Sequence, residues 1–144
     1  MASSPDSSDP PASVGDWHDA PMPNDFVRRL GRLQRRRVGD GWLYGLRAED
    51  GHRNGAGVVH GGALAAFVDE VIGTVARDHV GRRHVTVQLQ TVFLTPVRAG
   101  DFVEARCEIV KVTRSMAFVE AKLLVADAVV ATASAVLKAL RPTT

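Results

Sequence analysis

Between residues 62 and 78 the chain has no proline and only one further glycine, Gly73. Apolar residues there occupy every side of a helical turn: Ala63, Leu64, Ala65, Ala66, Phe67, Val68, Val71, Ile72, Val75 and Ala76. A helix that is apolar all round is a buried one. About 17 residues span about 25 Å, the width of a small domain. Into this helix the sequence places two adjacent carboxylates, Asp69 and Glu70. A buried acid costs several kcal/mol or changes its protonation unless it is paired. These two are therefore the first candidates for chemistry.

After the helix the period changes to two. Val85, Val87 and Leu89 alternate with Thr86, Gln88 and Gln90, which puts the valines on the core face and Thr86 on the other. Alternation returns over Val103–Ile109, Ala117–Val125 and Val129–Ala135, with a turn at Pro96 and Ala99-Gly100-Asp101. Four consecutive strands with short turns predict an antiparallel meander. Upstream, Asn24-Asp25 can cap a helix over Phe26–Arg36, with Phe26, Leu30 and Leu33 on one face. A turn at Gly39-Asp40-Gly41 leads into a strand over Trp42–Leu46, and a second turn over Glu49–Arg53 leads into a glycine-rich loop. Residues 1–23 are rich in Ser, Pro and Asp and read as a disordered tail. The remaining 24–144 form one domain. This order predicts an α+β fold in which an antiparallel sheet wraps around one long central helix.

Composition narrows the function classes. With 18 Lys+Arg against 16 Asp+Glu in 144 residues, the net charge of +2 carries no strong electrostatic message. The charge is uneven, however: Arg28, Arg29, Arg32, Arg35, Arg36 and Arg37 fall close together. Such a run reads as the solvated face of a helix rather than as a nucleic-acid site. The single cysteine, Cys107, excludes a disulfide framework and points to a reducing compartment. No basic stretch followed by an apolar one opens the chain, and the apolar helix carries two acids. A soluble cytoplasmic protein with neither nucleic acid nor membrane as partner is expected. Cys107 lies on the apolar face of its strand and reads as core. His18, His52, His79 and His84 show no metal-ligand spacing. No nucleophile elbow or phosphate loop occurs, and no cofactor is expected.

The loop and helix together carry a resemblance. The order Asn54-x-x-Gly57-x-x-His60-Gly61-Gly62, with Asp69 nine residues after His60, resembles the hotdog-fold acyl-CoA thioesterases of the phenylacetate-pathway type. The segment Thr86-Val-Gln-Leu-Gln-Thr-Val-Phe-Leu-Thr-Pro96, followed by Arg98-Ala-Gly-Asp101, is similar to that family's strand after the helix. The resemblance covers roughly residues 40–140. It implies a homodimer whose sheets join edge to edge, often paired again into a tetramer, with the site at the dimer interface. It implies that Asp69 is the general base or nucleophile and that the Gly61 amide binds the thioester oxygen. Asn54 would position the water or the carbonyl, Thr86 would assist the carboxylate, and Arg114 would lie near the CoA phosphates. Thr113 departs from the glycine common before that basic residue, and Gln88 stands where Asp or another polar residue often occurs.

The chemistry needs little more. A thiolate leaves with a pKa near 8.5, about that of free cysteine, so no general acid is required. One carboxylate and one amide donor at a helix N-terminus form a minimal set, and Gly61 and Gly62 let a ligand approach the backbone. Glu70, about 100° around the helix, is the reserve carboxylate and a substrate-side residue. His60 reads as a loop-ordering residue rather than a base. Asn54-Gly55 is also a turn dipeptide. Two other functions share these features: a hotdog hydratase or dehydratase, and a non-catalytic acyl-CoA-binding regulatory module. A hydratase places its His and acid differently, and a binding module has no use for Asp69.

Overall fold

The computed structural model describes residues 15–142. Its elements are β1 (His18–Asp19), α1 (Asp25–Leu30), β2 (Leu33–Val38), β3 (Gly41–Arg47), α2 (Gly61–Val80), β4 (His84–Phe93), β5 (Phe102–Val112), β6 (Met116–Val125) and β7 (Ala128–Ala139). The strands form one antiparallel sheet in the order β1-β2-β3-β5-β6-β7-β4. The long helix α2 packs against one face of it, the arrangement of the hotdog fold.

Leu64, Phe67, Val68, Val71, Ile72 and Ala76 form the buried stripe of α2. They recur at three- and four-residue intervals, so one helix face meets the sheet. Opposite them lie the core-facing residues of the long strands, among them Val103, Ala105, Ala117, Val119, Leu123, Ala135 and Leu137. Fully burying one such Val, Leu or Phe contributes about 1.5–3 kcal/mol. The helix is not buried on all sides, however: Ala65, Ala66, Asp69 and Gly73 are only half-buried.

Three expectations are corrected. The first concerns the meander, which comprises β5, β6 and β7; β4 lies beyond β7 at the sheet edge. The segment linking β4 to β5 crosses the end of the sheet. Leu94 and Thr95 donate to the Val130 carbonyl (2.8 and 3.1 Å), and Val97 is buried and accepts from Val59 (2.7 Å).

The second concerns the arginine run. The helix stops at Leu30 because Gly31 adopts φ 146, a backbone region that disfavours a side chain. Arg35, Arg36 and Arg37 then lie on β2, paired with β3. Arg35 and Arg37 stack on Trp42 at 3.9 and 5.1 Å, and Arg36 stacks on Trp17 at 5.1 Å. Each stack contributes about 0.5–1 kcal/mol where exposed. On α1 itself Val27, not Phe26, faces the core, at 1% against 63% exposure.

The third concerns the tail. Residues 1–14 lie outside the described residues, but β1 pairs with β2, Ala20 is buried and Trp17 packs edge-on against Phe102. Residues 15–23 therefore belong to the folded domain. Among the described residues no helix is long and apolar enough to cross a membrane.

Candidate active site

The N-terminus of α2 is built by its own loop. Asn54 Oδ1 accepts from the amides of Ala56 and Val58 (2.9 and 3.2 Å), which closes the turn and fixes the side-chain orientation. His60 is the N-cap, and its Nδ1 accepts from the Gly62 amide at 2.8 Å. Ala63 and Leu64 donate to the His60 carbonyl (2.9 and 3.3 Å). Of the first four helix amides, only Gly61 N–H has no acceptor among the described residues. A helix start leaves such donors unsatisfied, with a positive partial charge. Both glycines leave little room for a side chain. A Cβ on Gly61 would stand 3.1 Å from the Phe93 ring, and one on Gly62 would stand 2.9 Å from His60 Nδ1.

Asp69 lies more than two turns further along α2, half-buried. Its Oδ1 accepts from Thr86 Oγ1 at 2.7 Å. Thr86 thus faces the helix. The expected orientation of β4 is reversed: Val85 and Val87 are 43% and 55% exposed and point away from the core. A bulge between Thr86 and Gln88 then resets the alternation, so that Leu89 packs on the core. Alternation alone cannot tell which face of an edge strand is covered, and here the acid on α2 selects the hydroxyl.

Glu70 lines the same cavity as Asp69. Its Oε1 accepts from Asn24 Nδ2 at 3.3 Å, which tethers it to the start of α1. Burial pushes the Cys107 thiol up to about 12, so it is protonated at neutral pH and is no nucleophile. Arg114 is exposed in the β5–β6 turn and lines none of the cavities described here. Its carbonyl receives Arg82 Nη1 at 3.5 Å.

Two cavities divide these residues. One of about 500 Å³ holds Asp69, Glu70, Gly73, Thr74 and Thr86. Another of about 280 Å³ holds Asn54, Gly61, Phe93 and Pro96. They share no residue. The eight residues from Gly61 to Asp69 correspond to about 12 Å of helix, so one chain does not bring its carboxylate and its free amide to one atom. The sequence reading missed Phe93, which stands over Gly61. No local signal marks it, because the contact crosses between elements. A further hollow of about 480 Å³, lined by Arg106, Glu108, Glu120 and Lys122, contains none of the candidate residues.

Comparisons with known proteins bear on the fold and the family. The family model of the thioesterase superfamily matches residues 56–132, more than half of the chain. A candidate esterase of Pseudomonas aeruginosa is 34% identical over 94 residues, covering 63% of this chain and 69% of that protein. A candidate esterase of Caenorhabditis elegans is 33% identical over 73 residues, covering 48% of this chain but only 41% of that protein. A candidate thioesterase from Ralstonia eutropha, related to phenylacetic acid degradation, superposes with a TM-score of 0.70. It is 28% identical, and the match covers 83% of this chain and 92% of that one. A Streptococcus mutans protein solved with acetyl-CoA superposes with a TM-score of 0.67. It is 21% identical, and the match covers 71% of this chain and 82% of that one. With the family model matched over more than half of its length and the fold shared with these structures, the chain belongs to the thioesterase superfamily.

Proposed function

We propose that this protein hydrolyses acyl-CoA thioesters to the free acid and CoA at a site shared by two copies of the chain. The observation that carries the reading is that one helix bears both a Gly61 amide without an acceptor among the described residues and an Asp69 carboxylate held by Thr86. In this mechanism the free Asp69 oxygen takes the proton of a water that attacks the thioester carbon, or attacks that carbon itself to form an acyl-enzyme anhydride that a water then cleaves to the free acid and the carboxylate. The carbonyl oxygen gains negative charge and is held by Gly61 N–H. The C–S bond breaks, and CoA leaves as its thiolate. Oxyanion donors of this kind contribute about 10²–10³ in rate. Asn54 Oδ1 is occupied by its turn, which aims its amide group as a donor to water or to the carbonyl. Gly62 gives its amide to the His60 cap, so Gly61 is the donor in this reading. Arg114 is assigned to the CoA phosphates. The CoA class is supported by the acetyl-CoA bound to the streptococcal neighbour.

The sheet edge supports the second copy. β4 ends the sheet, and Val85, Val87, Val92 and Phe93 are exposed along it. An open apolar edge is a template for a further strand. Asp69 lies beside Thr86 near the start of β4, and Gly61 lies beside Phe93 at its end. Antiparallel pairing of two β4 edges across a two-fold axis sets Asp69 of one copy against Gly61 of the other.

The test is hydrolysis of a CoA thioester panel with free-thiol detection, on the natural protein and on Asp69→Asn. The near-isosteric variant keeps the fold and lowers kcat by at least about 10², the scale of a positioned acid or base. A folded variant with near-natural kcat would move the chemistry to Glu70. A natural protein that binds CoA thioesters without cleaving them would make it a binding module.

A further inference from the structure

Three cationic or protonatable groups at the far end of the Asp69 cavity have no role in the mechanism above. Arg77, Arg83 and His84 line it together with Asp69, Thr86, Gly73 and Thr74. Arg77 projects from the last turns of α2, and Arg83 and His84 stand at the entry to β4. The simplest role for these arginines would be to neutralise Asp69 and Glu70, but the geometry does not place them there. Asp69 is held by Thr86 and Glu70 by Asn24. No ion pair joins either acid to an arginine among the described residues. Arg83 has no carboxylate within 4.0 Å among the described residues. Arg77 meets only the adjacent, exposed Asp78, at 3.3 Å, and such a pair contributes at most about 1 kcal/mol. Neighbouring Arg82 differs. It donates to the carbonyls of Leu140 (2.7 Å) and Arg114 (3.5 Å), a stitch between the ends of β4 and β7 and the β5–β6 turn.

The space between the acid and the cations is open. A Cβ on Gly73 would meet no atom within 4 Å, so the helix presents bare backbone to the cavity there. The contrast with the Gly61 cavity is sharp: that one is lined by Val58, Val59, Leu64, Phe93, Leu94 and Val97. A group filling the larger cavity therefore meets the reacting carboxylate and two guanidinium groups, Arg83 without a carboxylate partner among the described residues and Arg77 paired only with exposed Asp78.

We propose that Arg77 and Arg83, with His84 beside them, form an anion-accepting end wall of the Asp69 cavity, which selects substrates that present an anionic group beyond the thioester. The proposal rests on the thioesterase reading. The anion has two sources of the same chemistry, a carboxylate ending the acyl chain or a phosphate of CoA. A charge-assisted hydrogen bond to an anion is about tenfold or more in affinity.

The experiment compares glutaryl-CoA with hexanoyl-CoA, and the same two acyl groups on pantetheine, in the natural protein and in the double variant Arg77→Met/Arg83→Met. Both side chains are exposed, and an unchanged melting temperature checks the fold. A terminal carboxylate as the anion gives a preference for glutaryl of about tenfold or more in kcat/KM on both carriers, lost in the double variant. A phosphate as the anion gives about a tenfold rise in KM for both CoA thioesters in the variant, and none for the pantetheine thioesters. Either result supports the wall. A folded double variant with natural discrimination on all four substrates overturns it while leaving hydrolysis intact. If nothing is cleaved, calorimetric titration of glutarate and of CoA into both proteins still decides. Equal affinities for both ligands overturn the wall, and weakened binding to the variant supports it.

Discussion

The two ends of the reactive stretch of α2 are built by opposite means. At the Gly61 end the side-chain bonds are local: His60 to Gly62 spans two residues, and Asn54 to Ala56 and Val58 spans two and four, with one backbone bond from Val59 to Val97 anchoring the loop. At the Asp69 end they are distant: Thr86 lies 17 residues from Asp69, and Asn24 lies 46 from Glu70. The local end leaves one backbone donor unpaired. The distant end orients a carboxylate through elements brought together only by folding. A backbone donor tolerates side-chain change around it, whereas a carboxylate held by one hydroxyl depends on that hydroxyl.

The largest effect should come from separating the two ends onto different chains. Asn54→Ala and Asp69→Asn each inactivate both sites of a homodimer in which the ends come from opposite copies. Co-refolding the two variants puts both lesions in one site of the heterodimer and none in the other. Random reassociation then recovers about a quarter of natural activity. Recovery no greater than the sum of the separate variants, with subunit exchange confirmed by mass, would place both ends of the site in one chain.

A smaller effect sharpens the distant end. Thr86→Val keeps the shape of the side chain and removes its hydrogen bond to Asp69. A bond to a charged group is substantial, and its loss should lower kcat roughly tenfold with little change in KM. An unchanged kcat would mean that packing alone orients the carboxylate.

The smallest effect concerns the local end. His60→Ala removes the N-cap bond to Gly62, which is about 1 kcal/mol for a typical cap. In a domain of this size that lowers Tm by about 3 °C. Activity should fall far less than in Asp69→Asn. A loss as large as that of Asp69→Asn, at the same modest Tm change, would give His60 a chemical role.

What could be read from the residues follows the same division. The apolar run announced α2, the acids within it announced the candidate carboxylate, and the glycines with His60 announced the helix start, because each is written in consecutive residues. The period of two announced the four long strands for the same reason. The sequence by itself also carried the family resemblance, since its loop motif and Asp69 sit at a set spacing on one helix.

Tertiary structure decided the rest, and in each case the reason is a partner distant in the chain. Alternation along β4 is identical whichever face is covered, and only the Asp69 carboxylate packed above it turned Thr86 inward and Val85 and Val87 outward. Strand order depends on which edges pair, so β4 went beside β7 although β5 follows it in sequence. The arginines at 35–37 read as a solvated helix face, and only the pairing of β2 with β3 and the ring faces of Trp42 and Trp17 placed them on a strand. The division of the candidate site into two cavities follows from the rise of a helix, which keeps Gly61 and Asp69 of one chain apart however the loop is arranged.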